Sequence, residues 1–161
     1  MNILSEQWTD YKSTNTPAGR DLIKEYIEAF KAEGLKVGIY YSTLDWHHPD
    51  YPHYGDGIHP MTNNEKWKDA EHNFDNYVKY MHNQVRELAS NYGKIDVFWF
   101  DFSYGEIKGE KWKSTELVKM VRKLRPGTLI DNRLGGDMEA ENPEIYAGDS
   151  ASDNCGRVKQ I

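Results

Sequence analysis

The stretch that decides the fold is Lys94-Ile95-Asp96-Val97-Phe98-Trp99-Phe100-Asp101, which directly follows a glycine. A β-branched and aromatic run that follows a turn residue and ends in a polar side chain predicts a short buried strand. Two further runs share this pattern, at residues 35–42 and 128–132. A weaker run at residues 144–147 indicates a fourth short strand.

Helical patterns lie around and between these runs. Apolar residues at helical spacing predict helices over residues 19–33, 64–90 and 114–124. Asn15-Thr16-Pro17 opens the first helix, and Thr62 or Asn63 is the expected N-cap of the second. Residues 43–62 contain three prolines and two glycines, which predict a long loop without regular structure.

The alternation of helices and strands predicts an α/β fold with a parallel sheet and right-handed crossovers. Both an open doubly wound sheet and a (β/α)8 barrel fit this order. A full barrel has eight strands and typically about 250 residues, whereas this chain has 161 residues. On the barrel interpretation, the chain is therefore a piece of one.

Composition and charge exclude some classes of function. The chain has 20 Lys and Arg against 26 Asp and Glu, a formal net charge of −6, which argues against nucleic-acid binding. The 11 Tyr, 5 Trp and 5 Phe suit either an aromatic core or a cleft that stacks on sugar rings. The single cysteine, Cys155, predicts no intrachain disulfide. The sequence has no run of membrane-span length, and residues 1–10 lack a signal-peptide pattern, so the compartment stays open.

Polar residues end all three clear strands. Parallel α/β folds bind ligands at the carboxyl ends of their strands, which here are Tyr41-Ser42, Asp101 and Asp131-Asn132-Arg133. Strand alternation places Val97, Trp99 and Asp101 on one face. Because an acid beside an aromatic ring is costly to bury unless it is paired or functional, Asp101 is either a site carboxylate or a capped, ion-paired strand end.

Arg133 and the tyrosines of the first strand are the next candidates. The guanidinium fork suits a substrate hydroxyl or an active-site carboxylate, and a structural ion pair is the alternative. Tyr40 and Tyr41 point to opposite faces, so one of them enters the site and the other packs elsewhere.

The histidines of the long loop raise the question of a metal. Residues of zinc-ligand type there are His47, His48, His53, His59, Asp45, Asp50 and Asp56. No histidine pair has the i, i+4 spacing of a helical metal motif, so we predict solvated histidines or a rim that contacts a polar ligand, and no metal. The sequence also lacks a G-x-G-x-x-G or P-loop motif, which predicts no nucleotide cofactor.

Several of these motifs occur together in one known family. Residues 34–42 (GLKVGIYYS) and 45–51 (DWHHPDY), the strand that ends in Asp101, and Asp131-Asn132-Arg133 resemble the family 29 glycoside hydrolases, the retaining α-L-fucosidases. The resemblance extends over about residues 8–149. It implies a partial (β/α)8 TIM-like barrel, with about three parallel strands and flanking helices, and no metal or organic cofactor.

The resemblance also implies roles for individual residues. Asp101 would be the nucleophile that attacks the anomeric carbon. The implied substrate-binding residues are Tyr41, Trp46, His47, His48, Trp99 and Arg133.

The sequence departs from the family pattern at both ends. The family places histidines and a tryptophan of the fucose pocket on strands upstream of Trp8, and downstream it continues Gly-Asp-Phe into Pro-Glu. Here Gly148-Asp149 continues as Ser150-Ala151-Ser152, so the acid/base is unassigned. Asp153 or Asn154 falls near its expected position, but an asparagine cannot donate the proton, and Glu144 is the remaining alternative. We therefore expect residues 1–149 to be a fragment of the catalytic barrel and residues 150–161 a divergent polar tail.

The expected partner is a fucosylated glycan rather than a nucleic acid or a membrane. The open edges of a barrel piece allow self-association, and the isolated chain is expected to be inactive.

The alternative function is a non-catalytic carbohydrate-binding or metal-binding α/β module. Full-length members of the family are commonly secreted, periplasmic or lysosomal, which leaves the compartment of this chain open.

Overall fold

The computed structural model describes residues 9–52, 59, 62–65, 68–103, 106–135 and the backbone of residues 146–147. Within this part, four strands form one sheet in the order β1-β2-β3-β4, and every neighbouring pair is parallel. The strands are β1 (Gly38–Ser42), β2 (Val97–Asp101), β3 (Leu129–Asp131) and β4 (Tyr146–Ala147). The helices are α1 (Leu22–Ala32), α2 (Phe74–Asn91) and α3 (Ser114–Leu124). The predicted α/β class with a parallel sheet is confirmed.

Helix α1 begins at a capping residue that the sequence pattern did not single out. The carboxylate of Asp21 accepts a hydrogen bond from the backbone N–H of Lys24 at 3.0 Å, which satisfies a first-turn donor. The prediction that residues 15–17 open this helix is wrong, because Ser13–Asn15 forms a separate 3-10 turn. Gly34 follows the helix with φ +70°, a conformation that glycine adopts without strain.

Helix α2 begins at Phe74, later than the residue 64 that its periodicity predicts. The Asn73 side chain accepts from the N–H of Asn76 at 3.1 Å, and the Asp50 carboxylate accepts from the N–H of Asn73 at 3.1 Å. The helix start is thus tied to the loop after β1, a contact that periodicity does not contain. Trp67, which we predicted on the apolar face of this helix, lies outside the described residues. Helix α3, in contrast, has the predicted bounds.

The two faces of the sheet have different surroundings. Buried strand residues on one face share a hydrophobic cluster with all three helices; they are Ile39, Phe98, Phe100 and Ile130. The helix residues of this cluster include Ile27, Val78, Met81, Val85, Leu117 and Val121. The opposite face, here named the open face, carries Tyr40, Trp99, Asp101 and Leu129. Tyr40 and Leu129 are 57% and 41% exposed.

The register of the strands brings their polar ends together. In the β1-β2 pair, Tyr40 lies beside Trp99 and Ser42 beside Asp101. The β2-β3 pair joins Val97 to Leu129, so the carboxyl ends of the three strands meet at one edge of the sheet.

None of the helices in the described part of the chain combines the length and apolar character that crossing a membrane requires. The predicted boundary at residue 149, the tail at 150–161, Cys155 and the candidate acids Glu144 and Asp153 lie outside the described residues.

Candidate active site

Asp101 lies at the last position of β2, where three donors hold its carboxylate. The Tyr40 hydroxyl donates to Oδ2 at 2.8 Å, and the backbone N–H of Phe102 donates to Oδ1 at 2.9 Å. The Arg133 guanidinium forms an ion pair with Oδ1. The Asp101 side chain is 18% exposed, so the carboxylate is anchored and still reachable from the open face.

The surroundings of Asp101 favour its charged form. Burial alone would raise the pKa of Asp101, because desolvation disfavours a carboxylate. The hydrogen bonds from Tyr40, the Phe102 N–H and Arg133, together with the charge of Arg133, outweigh burial and hold this pKa below its usual value. Asp101 is therefore ionised at neutral pH, as a nucleophilic carboxylate has to be.

The two tyrosines of β1 have different partners. Tyr41 donates its hydroxyl proton to Oε1 of Gln84 on α2 at 2.5 Å, and its ring packs against Phe100 on the helix-covered face. Tyr40 lies on the open face beside Trp99. The structure thus brings Tyr40 to Asp101 and does not bring Tyr41 there, because strand alternation sends neighbouring side chains to opposite faces.

Tyr40 remains a proton donor at physiological pH. Burial, the hydrogen bond to Asp101 and the charge of that carboxylate raise the pKa of Tyr40 to about 12, against the opposing charge of Arg133. The phenol therefore keeps the proton that it donates to Asp101.

Arg133 and Trp99 complete the group on the open face. The guanidinium carbon of Arg133 lies 5.8 Å from the centroid of the Trp99 ring, within the range of a cation–π contact. The same guanidinium contacts Asp101. An ionised carboxylate, a fixed cation, a phenol donor and an indole ring together suit a hydroxylated ring with one apolar face.

Asp131 is a buried carboxyl group that the sequence identified only as part of a strand end. It is 1% exposed, and its Oδ1 accepts the N–H of Phe100 at 2.9 Å, which extends the pairing of β2 with β3. Burial raises the pKa of Asp131 to about 7; the charge of Asp101 adds to this rise, and the charge of Arg133 opposes it. The sequence could indicate Asp131 only by its position at the end of β3. That its side chain is buried and bonds to the Phe100 N–H is decided by the tertiary structure.

The loop after β1 holds other predicted site residues at the same edge of the sheet. The Trp46 side chain is 41% exposed, and its ring lies 4.9 Å from that of His59. His47 stacks on Tyr11 with 4.0 Å between the ring centroids. The loop that follows β1 thus takes part in two separate aromatic pairs, Trp46 with His59 and His47 with Tyr11.

His48 is enclosed by the loop and α2. Its ring lies 5.2 Å from that of Tyr77 and 4.4 Å from that of Tyr80, and its Nδ1 accepts the N–H of Asp50 at 3.1 Å. Desolvation lowers the pKa of His48 in spite of the nearby charges of Asp45 and Asp50. In the structure this neutral histidine packs the loop against α2.

Across the described ranges, no three His, Cys, Asp or Glu side chains come together as a group that could hold a metal ion. His53 and Asp56, which belonged to the loop cluster in the sequence, lie outside those ranges.

The chain matches known proteins over most of its length. A family model described as alpha-L-fucosidase matches residues 2–155. Among solved structures, alpha-L-fucosidase isoenzyme 1 from Paenibacillus thiaminolyticus is 64% identical with a TM-score of 0.82, and the match covers 85% of this chain and 32% of that one. Alpha-L-fucosidase AlfC from Lactobacillus casei, in complex with α-L-fucose product, is 32% identical with a TM-score of 0.68, covering 83% of this chain and 42% of that one.

A curated alpha-L-fucosidase from Dictyostelium discoideum is 24% identical over 148 residues, which cover 89% of this chain and 29% of that protein. This chain therefore spans less than half the length of the relatives that it matches.

Proposed function

Because the chain belongs to the α-L-fucosidase family, we propose that it forms part of the catalytic barrel of a retaining α-L-fucosidase in which Asp101 is the nucleophile. The observation that carries this proposal is an ionised carboxylate at the carboxyl end of a parallel strand, held by Tyr40 and Arg133. Barrel enzymes build their active sites at this end of their strands.

The open face supports the barrel as the parent fold. Four successive parallel strands have helices packed on one face, while the other face carries the exposed side chains of Tyr40 and Leu129. In a (β/α)8 barrel such a face lines the packed interior. Further strands of a longer protein would cover it.

Expressed alone, the 161-residue chain is proposed to self-associate through this face and its sheet edges, and to turn over an aryl α-L-fucoside little or not at all. An incomplete active site cannot hold the substrate in the geometry on which catalysis depends. Sedimentation velocity and a fucoside assay test both statements. A compact monomer with a sharp thermal transition, or turnover near that of a full-length relative, would contradict them.

The proposed reaction has two displacement steps. First, a carboxylate oxygen of Asp101 bonds to the anomeric carbon of α-L-fucose while the glycosidic bond breaks, and the leaving oxygen takes a proton from a second carboxylic acid. Water then attacks the anomeric carbon, gives its proton to that second group and releases fucose and free Asp101. The second carboxyl group is expected about 5–5.5 Å from Asp101, the spacing of retaining enzymes.

The other residues of the site bind and orient in this proposal. Arg133 and Tyr40 direct the reacting carboxylate and offer hydrogen bonds to sugar hydroxyls, while the Trp99 ring supplies an apolar surface. Trp46 and His47 form the rim that meets the remainder of the glycan. A variant of AlfC solved in complex with Fuca(1,6)GlcNAc, at 33% identity, supports a fucosylated glycan as the substrate class.

The test is a chimera in which residues 9–147 replace the matching segment of the Paenibacillus enzyme. A 2-deoxy-2-fluoro-fucosyl reagent traps the covalent intermediate, and mass spectrometry of the digested protein locates the label. We expect the label on Asp101, and a label on another carboxylate overturns the assignment. Fucose binding by a well-folded chimera without any turnover would favour the non-catalytic carbohydrate-binding alternative.

A further inference from the structure

A buried threonine ties the backbone on both sides of Asp101 to the end of β1. Thr43 is fully buried. Its hydroxyl lies 2.9 Å from the carbonyl oxygen of Asp101 and 2.9 Å from that of Phe102, so one proton serves two acceptors. The backbone N–H of Thr43 also donates to the Asp101 carbonyl at 3.0 Å.

The residue that Thr43 holds has an unusual backbone conformation. Phe102 has φ +68°, in the left-handed region, which a non-glycine residue adopts only where its surroundings impose it. In this conformation the N–H of Phe102 donates to Oδ1 of Asp101 at 2.9 Å. The strained residue therefore supplies one of the donors that hold the carboxylate.

Thr43 is itself anchored from the helix layer. Its carbonyl oxygen accepts the hydroxyl proton of Tyr77 on α2 at 2.6 Å, and Tyr77 is 1% exposed. A continuous set of contacts thus runs from α2 through Thr43 to the backbone that presents Asp101.

We propose that Thr43 is a positioning residue for Asp101: its hydroxyl holds Phe102 in the left-handed conformation and so keeps the Phe102 N–H on the carboxylate. The proposal rests on the proposed function only for the reaction that this carboxylate performs. The hydrogen bonds themselves do not depend on it.

Thr128 is a matched control at the opposite end of the sheet. It is 2% exposed, and its hydroxyl donates to the carbonyl of Ile95 at 2.5 Å, before β2 begins. A valine at either position removes a buried hydroxyl and leaves carbonyl oxygens short of a donor, two of them at Thr43 and one at Thr128, so both variants lose stability. Only Thr43 touches the residues that orient Asp101.

The readout is the titration of the Asp101 carboxyl carbon, followed by NMR in the chimera labelled with ¹³C-aspartate. Asp101→Asn identifies the resonance by its disappearance. Among the described residues, Tyr40, Asp131 and Arg133 are the titratable or charged groups that face this carboxylate, from β1, β3 and the turn after β3. None of the test variants replaces them.

Thr43→Val is expected to move the titration of Asp101 to higher pH, because the charged form loses a donor. Thr43→Ser, which keeps the hydroxyl, is expected to restore the parent titration, and Thr128→Val to leave it unchanged. An unshifted titration in Thr43→Val, or an equal shift in Thr128→Val, would overturn the proposal.

A second pair of variants covers the case in which Thr43→Val does not fold. Thr43→Ala and Thr43→Ser differ from each other only in the hydroxyl, and the alanine variant alone is expected to titrate at higher pH. Identical titrations refute the positioning role. The fluorosugar label on the chimera tests the nucleophile separately, so a failure of that assignment is distinguishable from a failure of this one.

Discussion

Asp96 and Asp101 lie at the two ends of the same strand and are alike in side-chain exposure and in the direction of their pKa shifts. Asp96 precedes β2 and Asp101 ends it, and each side chain is 18% exposed. Each carboxylate accepts a backbone N–H and has a pKa below its usual value. Exposure and pKa together therefore do not separate a structural carboxylate from a candidate nucleophile.

The chemistry of their partners separates the two. Asp96 accepts the N–H of Val37 at 3.0 Å and lies 3.1 Å and 3.5 Å from the amines of Lys94 and Lys36, whose side chains are 70% and 79% exposed. These lysines are solvated cations at the N-terminal end of β2. There the Asp96 carboxylate links the segment before β1 to the segment before β2.

Asp101 is held instead by a phenol and by a planar guanidinium that is 32% exposed. Such donors are fixed in direction, and they meet at the end of the sheet where parallel folds bind ligands. Rigid partners and a place at the carboxyl end of the strand are therefore what distinguish Asp101, the proposed nucleophile, from Asp96.

The largest expected effect is on turnover in the chimera. Asp101→Gly should lower hydrolysis of an aryl α-L-fucoside by several powers of ten, because it removes the proposed covalent nucleophile. Azide should restore part of the rate with an activated substrate by occupying the vacated space. Asp96→Asn is the matched control and should keep nearly the parent turnover. If Asp101→Gly also kept it, Asp101 would be a strand-end cap of the same kind as Asp96.

The buried carboxyl group of Asp131, at the carboxyl end of β3, should make folding stability depend on pH. The pKa of Asp131 is raised from 3.8 to about 7, so the folded chain keeps a proton that the unfolded chain releases near pH 4. Folding stability therefore falls as pH rises through this window, by at most about 4 kcal/mol. Asp131→Asn removes this loss and should gain stability over the parent as pH rises, with no gain at the acidic end.

Urea unfolding of the chimera across this pH range measures the effect of Asp131→Asn. A difference between parent and variant that stays constant with pH would show that Asp131 titrates normally.

The adjacent tyrosines should separate activity from stability. Tyr40→Phe removes a donor from Asp101 and should lower turnover of the chimera by roughly tenfold, about 1.4 kcal/mol. Tyr41→Phe removes the partner of Gln84 and should lower unfolding free energy by about 1 kcal/mol while sparing turnover. Fucoside kinetics and thermal melts of both variants test this, and an exchange of the two outcomes would refute the assignment of faces.

The smallest effects on unfolding free energy are expected at the N-terminal end of β2. Asp96→Asn should cost about 1 kcal/mol or less near neutral pH, because the Val37 N–H loses a charged acceptor. Since the pKa of Asp96 is lowered, its contribution is present above the unfolded pKa and lost as pH falls through the folded one, opposite to Asp131. Lys94→Ala should cost less than about 0.5 kcal/mol, as exposed pairs do. Chemical denaturation at two salt concentrations checks these values, and a larger cost for Lys94→Ala would contradict the comparison.

Local patterns predicted those elements whose ends are marked locally. Helix α3 has the predicted bounds, and β2 ends at Asp101 as expected, because a turn before each element and a change of polarity after it lie within a few residues. Helix α2 was predicted to start too early, since its true start depends on Asp50, which is 23 residues away from Asn73.

The candidate site divides in the same way. Alternation within β2 sufficed to place Trp99 and Asp101 on one face, and their position at a strand end indicated a ligand site. The choice between Tyr40 and Tyr41 required the register with β2, and a tyrosine pair alone contains no such information.

By itself, the sequence determined that helices and parallel strands alternate, that Asp101 ends a buried strand, and that the motifs resemble one family of glycosidases. Only the tertiary structure decided that Tyr40 and Arg133 meet this carboxylate and that Thr43 donates to the backbone carbonyl of Asp101. Tyr40, Thr43 and Arg133 lie 61, 58 and 32 residues from Asp101 in the chain. Hydrophobic periodicity is a property of neighbouring residues, whereas hydrogen bonds between strands depend on how distant segments align in the sheet.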